Sequence, residues 1–95
     1  MQEKTIEQKL IQAIKVAGGI APKLTCPGFA GMPDRLILLP GGRIVFVEVK
    51  RPGGKTRALQ ESRHELLRRL GFRVCVLGDT EQIQQIIKET GGGAE

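Results

Sequence analysis

The sequence predicts an α/β domain with the element order α-β-β-β-α-β-α. Two runs of aliphatic and β-branched residues, roughly 34–39 and 43–50, flank Pro40-Gly41-Gly42 and read as a β-hairpin. Apolar residues recur at helical spacing on either side of it, at Ile6, Leu10 and Ile14 and again at Leu59, Leu66 and Leu70. Gly and Pro mark the junctions between these runs. At 95 residues the chain has the length of one domain, 1–95, with 91–95 as a frayed tail.

The first helix is expected from about Thr5 to Ala17, with Thr5 and Gln8 as a capping box and Gly18-Gly19 as the stop. Ile6, Leu10, Ala13, Ile14 and Ala17 form its buried stripe. Glu7 falls at the edge of that stripe and needs a cation, either a metal ion or a Lys or Arg partner; helix geometry favours an ion pair or an exposed acid. Ile20 to Thr25 reads as a short strand placed at an edge by Pro22. A Gly- and Pro-rich loop, Cys26 to Pro33, delivers Asp34 to the hairpin. Both hairpin strands are nearly continuously apolar, so helices should cover the sheet on both faces. After Arg51-Pro52-Gly53-Gly54-Lys55, Thr56 is expected to cap a second helix that runs to Leu70 and buries Leu59, Leu66, Leu67 and Leu70. Phe72 to Leu77 is a further strand. A last helix starts at Asp79 or Thr80 and runs through Lys88, packing Ile83, Ile86 and Ile87.

The hairpin register decides the chemistry. Side chains alternate along a strand, so Glu48 and Lys50 share a face that Val47 and Val49 do not. A two-residue Gly41-Gly42 turn would pair position 34 with 49 and separate the acids. A three-residue loop, Pro40-Gly41-Gly42, with glycine at positive φ, pairs 34 with 48 and brings Asp34, Glu48 and Lys50 together. That loop, or a bulge of equivalent effect, is the prediction. Two carboxylates and a lysine suit phosphodiester hydrolysis with a hard divalent cation, Mg²⁺ or Mn²⁺. Asp34, Glu48 and the Val49 backbone carbonyl would be the ligands. Lys50 would orient or deprotonate water, or stabilise developing charge. As spacing alone, an acid followed by Glu-x-Lys is common; the ordinary alternative is a hairpin with surface charges.

Composition narrows the partners. The net charge of +5 favours a polyanion. Eight Lys and Arg residues against two acids lie between Lys50 and Arg73, directly after the acid pair. Arg35, Arg51, Lys55 and Arg57 are the candidate DNA contacts. Three Phe and no Trp or Tyr argue against a stacking-based single-strand binder. Cys26 and Cys75 form no ligand pattern and His64 is the one histidine, which argues against zinc and for idle thiols in a reducing cytoplasm. No run is long enough to cross a bilayer and no signal peptide is visible, so the expected location is the cytoplasm.

Gly31-Met32-Pro33-Asp34, Glu48-Val49-Lys50, Pro52-Gly53-Gly54-Lys55 and Gln60 together resemble the virus-type replication-repair nuclease (VRR-NUC) domain of the PD-(D/E)XK superfamily. The resemblance runs from the first helix through the strand at 72–77. It implies a restriction-endonuclease-like core, a mixed sheet flanked by helices, with an additional C-terminal helix. It implies Asp34 and Glu48 as metal ligands, Lys50 as the catalytic lysine and Gln60 as a residue positioning water, metal or phosphate. It also raises Glu7 as an outer or second-metal ligand, because many members carry an acid on the first helix. His64, one turn beyond Gln60, is expected to be a partly exposed helix histidine. Stand-alone viral and bacterial members look like homodimers that resolve four-way (Holliday) junctions, which is the closest analogy for DNA repair or processing by this chain. The alternative is a non-catalytic DNA-binding or assembly module on the same scaffold, insensitive to EDTA.

Overall fold

The computed structural model describes residues 1–90, so the expected tail at 91–95 lies outside the described residues. Helix α1 (Glu3–Val16) is followed by strands β1 (Arg35–Leu39) and β2 (Arg43–Val49), helix α2 (Ala58–Arg69), strand β3 (Arg73–Leu77) and helix α3 (Gln82–Glu89). The sheet order is β1-β2-β3. β1 and β2 are antiparallel and β2 and β3 are parallel, so the sheet is mixed and β2, which carries Glu48, lies at its centre.

The hairpin closes through the three-residue loop. Leu39 pairs with Arg43 and Arg35 with Val47, and Gly41 and Gly42 take φ of 84° and 73°. L-residues pay a steric cost there and glycine does not. Odd-numbered residues of β1 and β2 therefore share one face. Ile37, Leu39, Val45, Val47 and Val49 pack there with Ile6, Leu10 and Ile14 of α1 and with Ile83 and Ile86 of α3. Covering this face is where most apolar area leaves water, so it is where the fold gains most of its stability.

Several boundaries differ from expectation, each for a local reason. α1 begins at Glu3, with the Gln2 carbonyl accepting from the Thr5 and Ile6 amides; the Thr5–Gln8 capping box does not form. The segment from Ile20 is a broken edge rather than a strand. Ile20 and Lys23 bridge to Leu38 and Arg35, but Pro22 has no amide to donate, and only its carbonyl joins β1. α2 starts at Ala58, two residues after Thr56, whose hydroxyl bonds the Glu61 side chain instead. The Gln60 side chain closes the helix start by accepting from the Arg57 amide at 2.9 Å. α3 starts at Gln82, because its Oε1 accepts the Gly78 and Asp79 amides and occupies the expected first turn as a cap.

The largest correction concerns the face of α2. Leu67 is buried, but Leu59 and Leu70 are 45% and 63% exposed, and the helix turns His64 and Gln60 toward the sheet instead. Its leucines at 59, 66 and 70 lie about a quarter-turn from the buried side. The even-numbered sheet face is thus covered by α2 over Glu48 and Val74, and is partly open at Ile44 and Val76.

Candidate active site

Asp34 ends the loop before β1, and continuing the observed register sets it opposite Glu48. Its Oδ2 accepts from the Val49 amide at 2.8 Å, which fastens the start of β1 to the end of β2. Glu48 is 1% exposed, and a buried carboxylate needs partners on both oxygens. It has them. Gln60 Nε2 donates to Oε2 at 3.2 Å and His64 Nε2 lies 3.3 Å from Oε1. The Lys50 ammonium stands 4.0 Å from Oε2 on the same strand face, and the Lys50 amide donates to the Leu77 carbonyl at 2.9 Å. Asp34, the Glu48/Lys50 end of β2 and Gln60, three stretches separated in sequence, thus converge on one corner of the sheet. Val49 is there too, through its amide.

Electrostatics at this corner are unbalanced toward negative charge. Burial pushes the Glu48 carboxyl up to about 8, and a hydrogen bond and charge repulsion from Asp34 push the same way. Lys50 opposes this but does not offset it, and Glu3 of α1 adds a further upward push. Two acids held together beyond what the neighbouring lysine neutralises are suited to an added cation. The residues fit a hard one: the donors are carboxylate oxygens, with no thiolate among them. Among the described residues no three His, Cys, Asp or Glu side chains form a complete ligand cage. Mg²⁺ characteristically retains waters and takes substrate phosphate for the remaining positions, so two carboxylates suffice.

Other candidates fall elsewhere. Glu7 accepts from Arg35 Nε at 3.1 Å, and Arg35 Nη1 donates to the Ala21 carbonyl at 2.9 Å. This is the ion-pair reading of Glu7, and it commits the Arg35 guanidinium to the protein interior. Glu3, one turn earlier on the same helix face, is exposed and adds the weakest of the upward pushes on Glu48. Arg51, Lys55 and Arg57 are exposed beside the loop leaving Lys50, and none of them enters a salt bridge among the described residues. The expectation for His64 is corrected outright: it is 1% exposed and faces Glu48, because the helix rotates to satisfy that buried acid. Arg63, on the flank of α2, lies over the Phe29 ring at 3.9 Å and donates to the Ala30 carbonyl, holding the loop that leads to Asp34. No helix among the described residues is long and apolar enough to cross a membrane.

Comparisons with known proteins bear on the family and the fold. No family model matches the chain. The protein named "Putative nuclease p44" of Acyrthosiphon pisum secondary endosymbiont phage 1 is 42% identical over 87 residues, 92% of this chain and 92% of that protein. A solved structure described as "VRR_NUC domain" is 32% identical, with a TM-score of 0.86, covering 94% of this chain and 98% of its own. A second, "VRR_NUC domain protein", shares the fold at a TM-score of 0.75 and 16% identity, over 97% and 92% of the two chains. Identity at the level of the first two, over nearly the full length of both partners, settles the family: this chain belongs to the VRR-NUC domains.

Proposed function

We propose that the protein is a Mg²⁺- or Mn²⁺-dependent endodeoxyribonuclease that hydrolyses phosphodiester bonds in branched DNA, acting on four-way junctions as a homodimer. The observation that carries this reading is the convergence of Asp34 and Glu48 from neighbouring strands with Lys50 beside them. Asp34, Glu48 and the Val49 backbone carbonyl would hold the cation, with Glu7 of α1 held in its ion pair with Arg35. When bound, the ion would supply positive charge against the phosphate and acidify a water. Lys50 stabilises the negative charge that builds on the phosphate, Gln60 holds Glu48 in place, and Arg51, Lys55 and Arg57 lead the DNA backbone to the site.

Two features support the dimer. A junction presents two strands to be cut, and a twofold pair offers two sites. α2 also carries an apolar stripe, Leu59, Leu66 and Leu70, that this chain leaves largely uncovered. The test is to incubate wild-type, Asp34→Ala and Lys50→Ala proteins with labelled four-way junction, flap, duplex, single strand and a matched RNA junction, in Mg²⁺, Mn²⁺ or EDTA. Wild type should nick the DNA junction in either metal and not in EDTA, and each variant should lose about 100-fold or more. Cleavage by Asp34→Ala at the wild-type rate overturns the site. Junction binding without cleavage in any metal would favour the non-catalytic module.

A further inference from the structure

We infer that His64 is a positioning residue for Glu48: it holds one carboxylate oxygen while Gln60 holds the other, fixing the side chain in the orientation in which a divalent cation would meet it. The inference rests on the reading of Glu48 as a metal ligand.

The geometry is specific. Both oxygens of Glu48 are engaged from one helix, Oε2 by Gln60 Nε2 at 3.2 Å and Oε1 by His64 Nε2 at 3.3 Å. Positions 60 and 64 are one turn apart, so the two donors stand side by side over the acid. Gln60 is itself anchored at the helix start through the Arg57 amide. A carboxylate gripped at both oxygens cannot rotate about its terminal bond, yet each oxygen retains a lone pair for a metal.

The ring is itself 1% exposed, so close packing holds it in place over the acid. An arginine or lysine at position 64 would pair with the acid and compete directly with the ion. Partners of this kind, one step removed from the metal, commonly contribute about 10- to 100-fold in metal affinity.

The test uses the full chain, with folding followed by circular dichroism and Mn²⁺ affinity by calorimetry, on wild type, His64→Gln, His64→Leu and Glu48→Ala. Folded His64→Leu should bind Mn²⁺ about 10- to 100-fold more weakly. His64→Gln, which restores an N–H donor, should recover most of that loss. Wild-type affinity in folded His64→Leu, with binding lost in Glu48→Ala, overturns this inference alone. Wild-type affinity in Glu48→Ala overturns the ligand assignment beneath it. Should His64→Leu fail to fold, ¹⁵N NMR of the wild-type imidazole in saturating Mg²⁺ decides. A proton on Nε2 supports the inference, and an Nε2 that carries none overturns it.

Discussion

Glu48 is a carboxyl group that folding drives toward its protonated form, and the consequence can be measured without DNA. Its folded value of about 8 lies above the ordinary 4.5, chiefly through burial and secondarily through Asp34. Between those values the folded protein holds a proton that the unfolded chain releases, so metal-free stability falls as pH rises toward 8. His64 works in the opposite sense. Its lowered value makes stability rise with pH up to its ordinary 6.5, so the Glu48 effect is read most cleanly above that point. Urea titrations from pH 6.5 to 9 should show stability declining in the metal-free wild type and a flatter profile in Glu48→Gln. Mg²⁺ should stabilise the wild type more at pH 8.5 than at pH 6.5, because the ion needs the ionised acid. A flat metal-free wild-type profile would mean that Glu48 ionises as freely folded as unfolded.

Among the elements, the hairpin was the most legible in the sequence, because a side-chain period of two turns loop length into a parity argument. Pro40-Gly41-Gly42 contains the glycines a three-residue loop requires, and that parity alone brings Asp34 across from Glu48. The stripe on α1 was legible for a similar reason, since Ile6, Leu10 and Ile14 admit only one buried face. α2 was not. Its leucines suggest one face, but the helix settles on another, where Gln60 and His64 satisfy a buried acid. Hydrophobic periodicity does not record the cost of an unpaired carboxylate. The same blindness applies to α1, where Glu3 and Glu7 lie on one face and spacing cannot say which of them meets a cation within the fold. The structure gives Arg35 to Glu7. Glu7→Gln should therefore cost about 1 kcal/mol of stability and leave Mn²⁺ affinity unchanged, as denaturation and calorimetry would show. Weaker Mn²⁺ binding with an unchanged unfolding midpoint would restore Glu7 as the metal-facing acid.

At the scale of the whole molecule, the face that α2 does not use is the feature a monomer leaves unexplained. Leu59, Leu66 and Leu70 follow one another at seven- and four-residue steps along a single side of the helix, and Leu59 and Leu70 are 45% and 63% exposed. Scattered exposed leucines are ordinary on a soluble domain, whereas an aligned stripe is the pattern that helix-to-helix docking uses. A small domain has few ways to gain apolar burial except by pairing, and twofold symmetry lets the same stripe serve both partners. The side of α2 about a quarter-turn round from this stripe touches Glu48, so docking here would place the two proposed metal-binding corners on helices locked to each other. Light scattering at micromolar concentration should give a mass near twice that of one chain for the wild type. Leu70→Glu, far along the helix from Gln60, should return the mass to that of a single chain while circular dichroism stays unchanged. That monomer should still bind Mn²⁺, because each ion site is built within one chain. It should nick a single strand of a four-way junction, yet lose the paired incisions that resolution requires. A wild type that is already monomeric, or a Leu70→Glu variant that remains dimeric, would remove α2 as the joining surface and leave the hairpin site untouched.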